Sequence, residues 1–331
     1  ANATGCSSIF GGNLPTTPWS KNKAGVGPAW ANSLFEDNAE FGLGIKMANE
    51  QKKLTAISLL NEFKLVVGEE LADNIINAPE QTEAEIHVKH EWIKELKHRL
   101  EGEKSIAAMN LYHLADFLAE KSVWIVGGDG WAYDIGYGGL DHVLSTGENV
   151  NIMVLDTEVY SNTGGQKSKS TPLGSSAKFS VNGKTTGKKD LALQAIAHGT
   201  AYVAQIAMGG NDAHTVRTIL EAEAYPGPSL IIAYSQCIAH GIDMSHGAEE
   251  QDFAVKSGYW PLFHYNPLKE KGQRFVVDSK EPSMPLGEFM YHENRFKVIK
   301  AKDPALAERF LHQAEDARQS KWERLATLKG L

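Results

Sequence analysis

Four short, almost continuously apolar runs, separated by helix-patterned segments, constrain this chain more than any other feature. They are Val123–Val126, Asn151–Leu155, Tyr202–Met208 and Ser229–Tyr234. Each is short for a helix and lacks the apolar–polar alternation of a half-exposed strand. Between them Ile135–Leu144, Leu191–His198 and a segment capped by Asn211-Asp212 and ending at Glu223 carry helical spacing. Strands that are apolar on both faces belong to a parallel sheet covered on both sides. The expected fold is therefore α/β: a doubly wound, mostly parallel sheet with helices on both faces. In such sheets ligands sit outside the carboxyl ends of the strands. Three strand ends carry unusual loops, Gly128–Trp131, Thr157–Gly165 and Ser235–Gly241.

The flanking regions differ from this core. From about Asn32 to Lys121 the pattern is helical: Leu54, Ile57, Ser58, Asn61 and Leu65, then Ile86, Ile93, Leu96 and Leu100, then Ala107, Leu111, Leu114, Ala115 and Leu118. Glu91, Lys94, Glu95 and Lys97 form a solvated face, and His87 and His90 lack a third ligand of suitable type. Beyond Gly258 the pattern loosens into β-like pieces at Trp260–Tyr265 and Phe275–Asp278 and a terminal helix over Pro304–Leu328. The expected division is residues 1–258 as the functional domain and 259–331 as an extension packing on it. The segment Thr163–Lys189 carries Lys167, Lys169, Lys178, Lys184, Lys188 and Lys189 and no acid among them, which suits a solvated flap. The competing reading is that it guards a site or meets an acidic surface. His198, His214 and His240 are expected to be packed or hydrogen-bonded rather than catalytic.

Charge and cysteine content narrow the function classes. The 331 residues hold 33 Lys and Arg against 41 Asp and Glu, a net charge of −8, which opposes a general nucleic-acid or anionic-membrane surface. No apolar run approaches the roughly 18 residues of a membrane span, and Ala1–Ser8 lack the pattern of a signal peptide. Two cysteines, Cys6 and Cys237, do not make a disulfide framework and suit a reducing, cytoplasmic setting.

The chemistry begins at Gly128-Asp129-Gly130. This tripeptide ends an apolar strand and opens a Gly-rich helix start, where backbone N–H groups can hold a phosphate. An acid beside a phosphate needs a cation between them, and Mg²⁺ is the natural one. Residues 131–156 then lead to Thr157-Glu158-Val159-Tyr160-Ser161-Asn162 at the next strand end. Gly-Asp-Gly followed at this distance by an Asn resembles the diphosphate-binding motif of thiamin diphosphate enzymes, and the expected fold becomes the thiamin-diphosphate-binding one. The stretch Gly128–Gly136, with Asp156–Gln166, Asn2–Ile9 and Tyr234–Gly241, closely resembles pyruvate:ferredoxin (flavodoxin) oxidoreductase. Ser33–Gly42 is also family-like.

This resemblance implies a set of roles. Asp129, Thr157 (where the commonest form has Asn) and the Val159 carbonyl would hold Mg²⁺. Thr4, Gly5, Cys6, Gly128, Gly130, Trp131, Glu158, Tyr160, Ser161 and Asn162 would line the cofactor site, with Asn162 contacting cofactor or substrate. Cys6 and Cys237 would supply two ligands of a [4Fe–4S] cluster, and a Cys-x-x-Cys pair expected shortly before Ala1 would supply the others. The implied reaction is oxidative decarboxylation of pyruvate to acetyl-CoA and CO₂, with coenzyme A as acceptor and electrons passing to ferredoxin or flavodoxin. The chain would be one piece of a longer homodimeric enzyme whose upstream domains carry the cofactor-activating Glu, and it would be inactive alone. The alternatives are another 2-oxoacid oxidoreductase, or a catalytically silent module of the same fold that binds only its partner domain.

Overall fold

The apolar runs form the centre of one sheet. This computed structural model describes residues 1–3, 5, 20–23 and 25–330. In chain order the strands are β1 (Asn2–Ala3), β2 (Asn32–Ser33), β3 (Trp124–Gly128), β4 (Asn151–Asp156), β5 (Tyr202–Ile206), β6 (Ser229–Tyr234), β7 (Phe263–Tyr265) and β8 (Phe275–Val277). They pair in the order β2-β1-β3-β4-β6-β5-β7-β8. All pairs from β2 to β5 are parallel, and only β7 and β8 run antiparallel to their neighbours. Helices Tyr137–Thr146, Leu191–Ile196 and Asp212–Ala224 lie in the crossovers between the parallel strands. Every residue of β5 is buried, as are Ile152 and Val154 of β4 and Leu230, Ile231 and Ile232 of β6. Burial of successive residues, which point to opposite faces, is what covering on both sides requires. The doubly wound α/β fold expected from the apolar runs is present. β1 and β2 were not foreseen, because two residues show no periodicity.

The chain forms two compact units, Ala1–Gly42 with Trp124–Leu331, and Leu43–Val123. Residues after Gly258 belong to the first unit, where β7 adds to the β5 edge and β8 to β7.

The second unit is helical, as the spacing predicts. Its core gathers Ala56, Leu60, Val67, Leu71, Ile75, Ile93, Leu96, Leu100 and Leu111. Thr82 starts the helix Glu83–Leu100 with a capping box: its hydroxyl accepts from the Glu85 N–H, and the Glu85 carboxylate accepts from the Thr82 N–H. Within the first run, however, Leu54 is 61% and Leu65 85% exposed. The spacing locates the helix there but misplaces its buried face, which is carried by Ala56 and Leu60. Replacing Leu60 by Ala is expected to cost about 2–5 kcal/mol of stability, whereas Leu65→Ala should stay within about 0.5 kcal/mol. Denaturant unfolding of the two variants measures both.

Candidate functional site

Register alone brings the three unusual loops together. Leu155 of β4 lies between Gly128 of β3 and Ala233 of β6. The chains leaving these parallel strands at Asp129, Thr157 and Ser235 therefore emerge side by side at one sheet edge. After Asp129 the backbone enters a π-helical turn, Gly130–Ile135, a geometry that tends to occur at functional sites. Gly130 is fixed by packing: a Cβ there would stand 2.7 Å from the Tyr160 ring and 3.1 Å from Phe35. Trp131 turns the other way. It is fully buried, against Gly127 and Gly136, and lies in the core rather than among the polar groups of the loops.

The polar centre is built on Asp129. Its Oδ1 accepts from Thr157 Oγ1 at 2.8 Å, and that same hydroxyl oxygen lies 3.0 Å from the Val159 carbonyl oxygen. The other carboxylate oxygen, Oδ2, accepts from Ser168 Oγ at 2.6 Å. Asp129 is 1% exposed, and no Lys or Arg pairs with it among the described residues. Burial, and after it the charge of Asp156, push its carboxyl up to about 8 against the pull of the Ser168 and Thr157 hydroxyls. An uncompensated buried carboxylate beside two further hard oxygens is a donor set suited to a small divalent cation.

Its neighbour Asp156 is fully served. Oδ2 accepts from Lys188 Nζ at 2.8 Å and Tyr133 Oη at 2.7 Å, and Oδ1 from Ser170 Oγ. Lys188 also pairs with Glu158 at 2.9 Å. Glu158 is buried at φ 60°, a left-handed conformation that costs a non-glycine residue energy unless its surroundings hold it. They do so here: besides Lys188, Tyr259 donates to its carboxylate at 2.7 Å and Arg295 pairs with it at 2.7 Å. Burial would raise its carboxyl, but Lys188 and Arg295 outweigh it and hold the group at about 2. The carboxylate of Glu158 thus sits in an interior ion network. Arg295 Nε also donates to Glu293 at 2.7 Å. Burial, and then Arg295, push buried His240 down to about 3. The neutral ring is 2.8 Å from the Thr157 carbonyl. A carbonyl only accepts, so Nε2 carries the proton and steers the loop.

The Lys-rich segment is not a solvated flap. Ser168, Ser170, Thr171, Ser175 and Lys184 are buried, and the segment is stitched to the loop by a bridge between Tyr160 and Gln166. Lys184 Nζ donates to the Thr171 carbonyl at 2.5 Å, while Lys167, Lys169 and Lys178 stay exposed. Ser168, Ser170, Thr171 and Lys188 are site residues that the sequence reading missed. The signal was the run Ser168–Thr171 itself, hydroxyl-rich and close behind the loop.

The remaining expected residues divide. Cys237 is buried, with its Sγ 2.7 Å from Ser161 Oγ, which ties the third loop to the second. Tyr160 packs on Phe35 with ring centroids 5.9 Å apart, and Asn162 is exposed in the turn that follows. Gly5 lies beyond β1, which runs parallel to β3 with Asn2 opposite Val126. Thr4 and Cys6 lie outside the described residues. A cavity of about 430 Å³ lies elsewhere, behind the loop, where Glu158, Lys188, Trp260 and Lys321 line it but Asp129, Thr157 and Val159 do not.

Comparison with known proteins relates this region to a described family. Residues 105–233 match the family described as thiamine pyrophosphate enzyme, C-terminal TPP binding domain, and the match includes Asp129, Thr157 and Val159. A pyruvate-flavodoxin oxidoreductase of Trichormus variabilis is 55% identical over 98% of this chain, and a pyruvate:ferredoxin oxidoreductase of Moorella thermoacetica is 46% identical over 98%. The chain resembles a part of the pyruvate-flavodoxin oxidoreductases that includes a C-terminal TPP-binding domain. It spans 28% and 29% of the length of these two relatives. A solved 2-oxoglutarate:ferredoxin oxidoreductase of Magnetococcus marinus is 26% identical over 35% of this chain and 40% of its own, with a TM-score of 0.33, too low to carry an argument.

The ion network behind Thr157 can be tested directly. Arg295→Met leaves Glu158 and Glu293 short of their shared cation and should cost about 3–5 kcal/mol, read from the urea midpoint. A loss below about 1 kcal/mol, the range of a surface pair, would show that Arg295 does not hold the loop.

Proposed function

We propose that Asp129, Thr157 Oγ1 and the Val159 carbonyl hold Mg²⁺, and that the loop opened by Gly128-Asp129-Gly130 thereby anchors the diphosphate of thiamin diphosphate. The observation that carries this reading is a buried Asp129 carboxylate that pairs with no Lys or Arg among the described residues, with Thr157 Oγ1 2.8 Å from it and the Val159 carbonyl 3.0 Å from that hydroxyl. The N–H groups at the start of the turn after Asp129 suit a phosphate, and Gly130 leaves room for Tyr160 to pack over the backbone. Ser168 and the neutral His240 orient the donors, one at Asp129 and one at the Thr157 carbonyl.

Together with the named relatives, this supports a place in the oxidative decarboxylation of pyruvate to acetyl-CoA and CO₂. When bound, the thiazolium ring supplies the electron sink that this chemistry needs. In this reading Cys237, whose Sγ lies against Ser161, ligates a [4Fe–4S] cluster, with Cys6 as a second ligand and ferredoxin or flavodoxin as the acceptor. The chain acts as the diphosphate-binding part of a longer, cytoplasmic, homodimeric enzyme, and by itself neither turns over pyruvate nor assembles a stable cluster. A silent partner-binding module is disfavoured, because it gives no reason to gather the Thr157 and Ser168 hydroxyls on a buried Asp129 that pairs with no Lys or Arg among the described residues.

Calorimetric titration with thiamin diphosphate in Mg²⁺ should show saturable, Mg²⁺-dependent binding that Asp129→Asn abolishes and Thr157→Val weakens. If neither this chain nor the chain joined to its upstream domains binds the cofactor, the assignment fails.

A further inference from the structure

A second cluster of ligand-type side chains lies apart from the Asp129 network. His214 stands at the start of the helix Asp212–Ala224, whose cap, Asn211, accepts from the His214 backbone N–H at 2.9 Å. His264 is the middle residue of β7, opposite Val276 of β8, and Asp278 follows β8 directly. Helix and hairpin meet so that Asp278 Oδ2 lies 3.0 Å from His214 Nε2 and 2.8 Å from His264 Nδ1. All three ligand atoms lie within 4.8 Å of one another.

We propose that His214, His264 and Asp278 form a zinc-type metal site, with its fourth position open toward solvent. Two imidazole nitrogens and one carboxylate oxygen are a recurrent Zn²⁺ set, with metal–ligand distances of about 2.0–2.2 Å and a water or other ligand in the fourth place. A tetrahedron of that size has edges of about 3.3–3.6 Å; the two oxygen–nitrogen edges, now 3.0 and 2.8 Å, open slightly to admit the ion, while the nitrogen–nitrogen edge lies within 4.8 Å.

The surroundings assign one role to each oxygen of Asp278. Arg217, at 53% side-chain exposure, donates to Oδ1 at 2.8 Å and leaves Oδ2 to both imidazoles. That is the outer-shell support that ligating carboxylates commonly have. The His264 ring stacks on Tyr202, with centroids 6.5 Å apart, and Tyr202 in turn donates to Glu221 at 2.9 Å, so the ring plane is held. The side chains of His214 and Asp278 are 1% and 9% exposed and that of His264 is 16%, so the approach is from the His264 and Arg217 side. One feature limits affinity. His214 Nδ1 is buried without a partner among the described residues, and metal-bound imidazoles are held best when that nitrogen donates to an acceptor. The site is accordingly of exchangeable rather than permanent type.

The competing account is a hydrogen-bonded fastening in which both imidazoles donate to Oδ2 and no metal enters. Zn²⁺ titration of the 331-residue chain in excess Mg²⁺, followed by calorimetry, separates the two, with Co²⁺ as a visible probe of geometry. The expected result is one equivalent bound in a tetrahedral site. Zinc X-ray absorption should then show a shell of nitrogen and oxygen without sulfur. His264→Gln and Asp278→Asn should each remove that binding, and Arg217→Gln should weaken it about 10–100-fold. Absence of saturable binding would overturn the site, as would sulfur in the shell or binding unchanged in folded His264→Gln and Asp278→Asn. The X-ray measurement needs no variant, so a substitution that fails to fold leaves the proposal decidable.

Discussion

Two carboxylates buried side by side at the ends of adjacent strands set the terms for the rest of the site. Asp129 and Asp156 repel one another, and burial disfavours the charge on Asp129. The fold answers the problem for Asp156 alone: Lys188 reaches it from the Lys-rich segment, with Tyr133 and Ser170 completing its hydrogen bonds. Asp129 receives two hydroxyls and, among the described residues, no cation. This asymmetry is the physical reason to assign the missing positive charge to an ion shared with a ligand. The same reasoning explains why Lys188 must come from a segment that folds back over the loop.

Behind the loop, a second layer of charge holds the backbone. Glu158 occupies a left-handed conformation that would not persist by itself. Lys188, Arg295 and Tyr259 fix its side chain on one side of the chain while His240 fixes the Thr157 carbonyl. With Glu158 and the Thr157 carbonyl pinned, Thr157 Oγ1 is left against both Asp129 Oδ1 and the Val159 carbonyl oxygen. Arg295 comes from far along the chain, just after Glu293, so the region beyond Gly258 serves the site through its ion pairs. Cys237 adds a third tie by meeting Ser161, and it joins the loop after β6 to the loop after β4.

The legible part of this arrangement was the part written in short-range pattern. Apolar runs gave the parallel strands, and Gly-Asp-Gly with the Thr157 loop gave the sheet edge, because strand-end loops follow directly from strand assignment. Long-range partners left little trace. Nothing in the spacing of Lys188, His240 or Arg295 says that they converge, and a lysine-rich run without acids looks solvated until its acids, Asp156 and Glu158, are seen to come from elsewhere. Leu54 and Leu65 show the same limit in the helical unit: periodicity finds a helix, but which face is buried depends on the neighbours it meets. β1 and β2 are too short to carry any pattern, and Thr4 and Cys6 lie outside the described residues.

The central claim is that the oxygens of Asp129, Thr157 and Val159 hold a divalent ion that also touches a diphosphate. Manganese replaces magnesium at such sites and is paramagnetic, so phosphorus NMR of added thiamin diphosphate reports their contact. With Mn²⁺ and the intact chain, both diphosphate resonances should broaden strongly beyond what free Mn²⁺ causes, and Asp129→Asn should abolish the excess. Broadening that is identical with and without the protein, or unchanged in Asp129→Asn, would contradict the account.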